Sequence, residues 1–167
     1  MEIYNMSINP FWNDYYKTIS YTEEYFKDKE QVSFWKECGH NVDYTTIHTC
    51  PITNNDNIIN TFADYFPSLI HLGVCFHKLL PGHYLPAHID KYGFYSGKFG
   101  VSDLNRIKRF VIFAEDWQPG HFLTVDKNVY SDWKAGEVVG WVGTTIHSAI
   151  NIGITDRYTI QITGIEK

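Results

Sequence analysis

The pattern of hydrophobic and polar positions changes near residue 70. Before this point, apolar residues recur at mixed spacings, which favours one or two amphipathic helices between Asn13 and Trp35. A shorter helix is predicted from Asn57 to Phe66, because Pro67 follows it and proline cannot continue a helix. The N-terminal part of the chain is therefore predicted to be helical.

After residue 70, short stretches rich in β-branched and aromatic residues alternate with turn residues. Pro86 lies inside the second of these stretches and indicates an edge strand or a bulge. No helix is predicted between the strands, so the pattern favours an antiparallel barrel or a two-sheet jelly roll. Strands are predicted at residues 72–80, 83–90, 109–114, 121–125, 137–142, 145–150 and 158–163.

The length of 167 residues is sufficient for one hydrophobic core, and no flexible linker divides the chain. We therefore expect a single domain over residues 1–167. Within it, residues 1–70 are expected to form a helical N-terminal support and residues 71–167 a β core. The predicted fold class is mainly β with N-terminal helices (α+β).

Net charge limits the classes of binding partner, and cysteine content indicates the cellular compartment. The net charge of −5, without a long basic run, argues against nucleic-acid binding. The three cysteines are odd in number and lack zinc-type spacing, which favours a reduced, cytoplasmic setting. The first residues lack the order of a signal peptide, and no apolar run is long enough to span a bilayer. We expect a cytoplasmic protein without a nucleic-acid or membrane partner.

Three residues have the chemistry of metal ligands. His88 and Asp90 lie at the end of a predicted strand, where positions i and i+2 point to the same face. His147 lies inside a separate predicted strand, among small and apolar neighbours. Two imidazoles and one carboxylate can bind one face of a divalent metal ion and leave its other positions open. The alternative for His147 is a structural histidine in the core.

The last predicted strand carries a candidate anion site. Arg157 lies just before this strand, and Thr159 lies on the same face two residues later. A guanidinium and a hydroxyl together suit a carboxylate ligand inside a barrel. The alternative for Arg157 is a surface ion pair with Asp156 or Glu137.

Residues 91–106 contain three glycines and no strand pattern, so a long loop is predicted there. Its aromatic residues Tyr92, Phe94 and Tyr95 can form a lid that folds over a substrate. The alternative is an ordered loop packed on the N-terminal helices. The basic residues of the segment favour an anionic or carboxylate-bearing substrate; they are Lys91, Lys98 and Arg106.

The arrangement of His88-x-Asp90, His147 and Arg157-x-Thr159 resembles the signature of the Fe(II)- and 2-oxoglutarate-dependent dioxygenases. It is similar to the small aspartyl/asparaginyl β-hydroxylase-like and prolyl-hydroxylase-like members of that superfamily. Asp90 is a difference from the best-known aspartyl/asparaginyl hydroxylases, because these lack a carboxylate ligand. The difference bears on the substrate that the resemblance implies, and not on the metal site. The resemblance covers residues 72–165, including the segments Trp133–Glu137 and Ala149–Gly153.

The resemblance implies a double-stranded β-helix, that is, a jelly roll or cupin-like barrel, with a metal ion between its sheets. By the same resemblance, His88, Asp90 and His147 would be the ligands of Fe(II). Arg157, with help from Thr159, would bind the distal carboxylate of 2-oxoglutarate.

Further expectations follow from the same resemblance. Arg109 would be a second contact to 2-oxoglutarate, and its alternative is an ion pair with Glu115 or Asp116. Dioxygen would take the last open position of the iron, and the reaction would release succinate and CO2. The substrate would be a small molecule or a peptide, hydroxylated on an amino-acid side chain.

Two other classes of function remain open from the sequence. One is a cupin-like metal-binding protein or metalloenzyme that does not use 2-oxoglutarate, and Arg157 distinguishes it because such a protein has no need for this arginine. The other is a non-catalytic binding barrel whose histidines are structural.

Overall fold

The computed structural model describes residues 3–53 and 55–167. Within these residues, no helix combines the length and the hydropathy needed to cross a lipid bilayer. The helices are α1 (Tyr15–Thr18), α2 (Lys29–Glu37), α3 (Asp56–Tyr65) and α4 (Gly93–Phe99). The strands are β1 (Ile3–Ser7), β2 (Thr22–Tyr25), β3 (Thr46–Pro51), β4 (Leu69–Leu79), β5 (Tyr84–His88), β6 (Ile107–Phe113), β7 (His121–Val125), β8 (Asn128–Tyr130), β9 (Glu137–Val142), β10 (His147–Asn151) and β11 (Arg157–Glu166).

The strands form two antiparallel sheets. The larger sheet has the order β1-β9-β6-β11-β4-β3-β2, and the smaller has the order β5-β10-β7-β8. Strands that are neighbours in a sheet are mostly distant in the chain, as in a jelly-roll barrel. The predicted mainly β fold with a double-stranded β-helix is confirmed.

Strand β6 separates two layers of the hydrophobic core. Its residues Phe110 and Ile112 pack in the layer that includes Phe62 of α3. Val111 and Phe113 point the other way and pack with buried residues of β7 in the smaller sheet. The second layer therefore lies between the two sheets.

Strand β11 follows the same alternation beside β6. Ile160 and Ile162 belong to the layer that contains α3. Because successive side chains of a strand point to opposite faces, Arg157, Thr159 and Gln161 share the face between the sheets. This alternation places polar groups in the interior of the barrel.

The N-terminal part is not purely helical, which corrects the prediction for residues 1–70. It supplies β1, β2 and β3 to the larger sheet, with β1 at one edge and β2 at the other. These short strands pair with strands far along the chain, β1 with β9 and β3 with β4. Such pairing leaves no local signal in the sequence. The helix predicted at residues 57–66 is confirmed as α3.

Strand β5 agrees with the expectation drawn from Pro86. It is the edge strand of the smaller sheet, and its register with β10 is irregular between His147 and Ala149. The missing N–H of proline is tolerated at such a position, because no partner strand requires it.

The prediction of a continuous loop at residues 91–106 is wrong, because α4 lies within it. Its glycines lower the helix propensity, and tertiary contacts stabilise the helix instead. The Tyr95 hydroxyl donates to the carbonyl oxygens of His71 and Thr163, each 3.0 Å away. The Phe99 ring stacks on the His71 ring with centroids 4.2 Å apart. Helix α4 therefore packs on β4 and β11.

Replacing Ile160 with alanine should lower the free energy of unfolding strongly, because this side chain is fully buried in the central strand of the larger sheet. Substitutions of this kind cost about 2–5 kcal/mol. Ile154→Ala is the matched control, since the Ile154 side chain is 94% exposed, and it should leave stability unchanged. Urea denaturation followed by circular dichroism measures both variants, and equal effects would contradict the position of the core.

Candidate metal centre

Strand pairing brings the two candidate histidines together. β5 ends at His88 and β10 begins at His147, and these residues are direct partners across the sheet. Their ring centroids are 4.3 Å apart. Asp90 follows β5 by two residues, and one ligand atom from each of the three side chains lies within 4.8 Å of the others. The structure thus assembles the three predicted ligands in one place.

Backbone carbonyl groups fix the orientation of both imidazoles. His88 Nδ1 lies 2.7 Å from the Pro86 carbonyl oxygen, and His147 Nδ1 lies 3.0 Å from the Thr145 carbonyl oxygen. A carbonyl oxygen only accepts, so each Nδ1 carries the proton and donates it. Each Nε2 then keeps a free lone pair, and this is the arrangement of metal-binding histidines.

The two free nitrogens face the carboxylate of Asp90. His88 Nε2 lies 3.9 Å from Oδ1, and His147 Nε2 lies 3.4 Å from Oδ2. Burial lowers the pKa of His88, and burial together with the neighbouring His88 lowers the pKa of His147 to about 3. Both imidazoles are therefore neutral at neutral pH, as a metal ligand must be.

Asp90 is ionised in the same pH range. Burial acts to raise its pKa, but the Arg109 guanidinium beside it and the hydrogen bond from the Tyr92 hydroxyl favour the charged form, and the pKa lies below its ordinary value. Two neutral imidazoles and one carboxylate form a donor set that suits a divalent transition metal with open positions. The three residues fit such an ion.

The candidate ligands lie in a cavity of about 510 Å³. This volume is typical of sites for small ligands. Arg157 and Thr159, each 3% exposed, line its buried part. Tyr25 and Phe94 also line the cavity but are largely exposed, so they mark its mouth. The cavity therefore connects the candidate metal ligands to both the predicted anion site and the solvent.

Several buried polar atoms of the cavity wall have no hydrogen-bond partner among the described residues. Arg157 contributes two of them, Nε and Nη2, and its guanidinium carbon lies 5.4 Å from the Trp133 ring centroid. Burial lowers the pKa of Arg157 to about 10, so it stays positively charged at neutral pH. The others are Arg109 Nε, Trp141 Nε1 and Thr49 Oγ1. Unpaired buried donors are costly, and a ligand rich in acceptor oxygens would satisfy them.

Arg109 contacts one of the candidate ligands. Its Nη1 lies 2.9 Å from Asp90 Oδ2 and 2.8 Å from Gln161 Oε1. Arg109 does not pair with Glu115 or Asp116, the alternative partners. Asp116 pairs with Lys134, and Glu115 accepts a hydrogen bond from Tyr16. A contact between Arg109 and 2-oxoglutarate stays a prediction.

The three candidate lid residues have different environments. Tyr92 is buried, and its hydroxyl donates to Asp90 Oδ2 at 3.3 Å. Tyr95 holds α4 on the larger sheet, as described above. Of the three, Phe94 alone is largely exposed, at the mouth of the cavity. Movement of the segment on substrate binding stays a prediction.

Among the cavity-lining residues that sequence reasoning missed are Thr49, His77, Trp141 and Gln161. The alternation of β11 contained the signal for Gln161, which lies two residues beyond Thr159 on the same face. His77 is neutral, since burial, aided by Arg109 and Arg157, lowers its pKa to about 3. Thr49 and Trp141 had no local signal.

Comparison with protein-family models finds no match, and comparison with curated proteins finds none either. Solved structures do match. A prolyl-4-hydroxylase from Pseudomonas putida is 16% identical with a TM-score of 0.55, over 92% of this chain and 96% of that one. A 2OG-Fe(II) oxygenase family protein from Burkholderia pseudomallei is 12% identical with a TM-score of 0.60, over 91% of this chain and 76% of that one. At these identities the likeness shows a shared fold.

Replacing His147 with alanine should abolish most of the affinity for Fe(II) and leave the fold intact. Losing a ligand should raise the dissociation constant by more than about 100-fold, since even residues behind the ligands are worth 10- to 100-fold. Anaerobic Fe(II) titration measures the constant. His48→Ala is the control, because His48 lies on β3 and is not part of the three-residue group. Full affinity in His147→Ala would exclude His147 as a ligand.

Proposed function

We propose that the protein is an Fe(II)- and 2-oxoglutarate-dependent dioxygenase that hydroxylates an amino-acid or peptide side chain. One observation carries the proposal: the group of His88, Asp90 and His147 shares a cavity with a buried, charged Arg157, whose Nε and Nη2 have no hydrogen-bond partner among the described residues. Such a cavity suits a metal ion and an acidic ligand together. The structural likeness to proteins named as a prolyl-4-hydroxylase and a 2OG-Fe(II) oxygenase agrees with this proposal.

The metal ion would be held by His88 Nε2, His147 Nε2 and one carboxylate oxygen of Asp90. When bound, Fe(II) supplies the activation of dioxygen, driven by the oxidative decarboxylation of 2-oxoglutarate to succinate and CO2. The protein prepares the ligands for this role by burying both imidazoles as neutral bases. It also surrounds His88 with the Phe26 and Trp35 rings, whose centroids lie 4.9 and 5.9 Å from the imidazole.

The co-substrate would lie along the inner face of β11. Arg157 would pair with the distal carboxylate, since a guanidinium binds a carboxylate through two parallel hydrogen bonds. Thr159 lies two residues further on the same face and would add a hydroxyl. The Trp141 indole is a donor only, so its unpaired N–H likewise requires an acceptor oxygen. Binding of a dicarboxylate would thus satisfy donors that the protein leaves unpaired.

The mouth of the cavity favours an apolar flank on the substrate. Tyr25, Ile89 and Phe94 are exposed there and line the cavity. Two cations lie near this opening: Lys98 Nζ lies over the Phe94 ring, 5.3 Å from its centroid, and Lys91 pairs with Asp28 at 2.8 Å. Recognition of an anionic substrate by Lys91 would first require breaking that ion pair. We therefore favour a substrate that presents its side chain through an apolar opening.

Turnover without added substrate provides the direct test. We expect the protein, incubated with Fe(II), ascorbate, 2-oxoglutarate and dioxygen, to release succinate slowly. His147→Ala and addition of a metal chelator should each remove that release, while His48→Ala should keep it. If 2-oxoglutarate neither binds anaerobically to the Fe(II)-loaded protein nor yields succinate, a metal-binding barrel with another ligand is the correct description.

Arg157→Ala should weaken 2-oxoglutarate binding. Losing a charge-assisted bidentate contact in a desolvated cavity costs about 2–5 kcal/mol, which corresponds to a dissociation constant raised about 30-fold or more. Titration calorimetry under nitrogen measures it. The matched control is Arg106→Ala, because Arg106 is exposed and donates to the Glu166 carbonyl oxygen. Equal affinity in Arg157→Ala and the control would rule out this role for Arg157.

A further inference from the structure

We propose that Arg109 is a positioning residue for the metal site: it holds one oxygen of Asp90, so that the other oxygen faces the metal ion. This inference rests on the proposed metal centre. It assigns to Arg109 a task other than a contact with 2-oxoglutarate. Gln161 and Tyr92 hold the Arg109 side chain in place.

Asp90 needs a restraint that the two histidines do not. His88 and His147 belong to paired strands, and a backbone carbonyl fixes each ring. Asp90 lies beyond the end of β5 and belongs to no strand or helix. Its carboxylate could therefore rotate freely unless other side chains hold it. Catalytic metal sites require their ligands to be held closely in one geometry.

Two donors converge on the same oxygen of Asp90. Arg109 Nη1 lies 2.9 Å from Oδ2, and the Tyr92 hydroxyl lies 3.3 Å from the same atom. His147 Nε2 also lies 3.4 Å from Oδ2, whereas Oδ1 has no such donors among the described residues and faces His88 Nε2 at 3.9 Å. Because the donors occupy lone pairs of Oδ2, Oδ1 is the oxygen whose lone pairs remain available to a cation.

The larger sheet in turn fixes the orientation of Arg109. Arg109 lies on β6 and Gln161 on the neighbouring β11, where Gln161 pairs directly with Val111. Arg109 and Gln161 are thus diagonal neighbours on one face, and Gln161 Oε1 accepts from Arg109 Nη1 at 2.8 Å. The Tyr92 ring covers the guanidinium at 5.0 Å. The chain Gln161–Arg109–Asp90 therefore connects the central strands of the larger sheet to a ligand that follows an edge strand of the smaller one.

The metal affinity of variants distinguishes a positioning role of Arg109 from an effect of its charge alone. A cation beside a dication repels it, so removing Arg109 would tighten metal binding if charge were its only effect. A positioning role has the opposite sign, because a loosened carboxylate is a poorer ligand. Gln161→Leu isolates the second effect, since it removes the acceptor that holds Arg109 and changes no charge.

The experiment is a titration of the protein with Co(II) alone, without 2-oxoglutarate, followed by the visible absorption of the bound ion. We expect Gln161→Leu, Arg109→Met and Arg109→Lys each to raise the dissociation constant about 10- to 100-fold and to alter the spectrum. Tyr92→Phe, which keeps the ring but removes one donor to Oδ2, should have a smaller effect. Arg106→Lys is the control and should match the wild type. Urea denaturation checks that each variant is folded.

The outcomes are distinct. Unchanged affinity and spectrum in folded Gln161→Leu, with binding that still depends on His147, would overturn the role of Arg109 and leave the proposed function standing. Tighter binding in Arg109→Met would show that Arg109 acts through its charge, and would also overturn the proposal. Absence of Co(II) binding by the wild type would overturn the metal centre and this inference with it.

Discussion

The antiparallel pairing of β5 with β10 sets His88 opposite His147, and the rest of the site depends on this register. A slip of one residue would turn an imidazole to the other face of the smaller sheet. The two rings are also held in the same way, each by the carbonyl group two residues earlier in the chain. Backbone geometry thus defines half of the site before any other side chain contributes. The carboxylate and the arginines are then added from other parts of the barrel.

The part of this site that strand periodicity controls could be predicted from the sequence. His88 and Asp90 are two residues apart, as are Arg157 and Thr159, and the barrel fold followed from closely spaced strand patterns. The partner of Arg109 could not be predicted, because its contact with Asp90 crosses from one sheet to the end of a strand in the other. The distance between two sheets depends on how the core packs, and no local pattern reports it. The same reason applies to Trp141 and Thr49.

The N-terminal strands illustrate another limit. β1 and β2 form the edges of the larger sheet, where a short strand requires only one partner. Their formation depends on β9 and β3 more than on their own propensity. Helix α4 is a similar case, since Tyr95 and Phe99 stabilise it from outside despite two glycines. In each of these elements, tertiary contacts outweigh local preference.

Charge in the barrel interior is distributed unevenly. Asp90 and Arg109 form a close pair, and both are held by neutral partners. Arg157, in contrast, keeps its charge without an acid beside it in the described residues. The cavity therefore contains one compensated region around the candidate ligands and one uncompensated positive charge.

Strand β11 joins these two regions, and this has a consequence for the length of the molecule that fits between them. Arg157 would hold one end of an acid, while Gln161, four residues later, supports the metal side through Arg109. A paired central strand does not stretch, and four residues span about 13 Å at about 3.3 Å each. The backbone of β11 thus keeps the separation between these two positions constant. A molecule that bridged an anion site at Arg157 and a cation at Asp90 would have to match a distance that is set by a paired strand and not by a flexible loop.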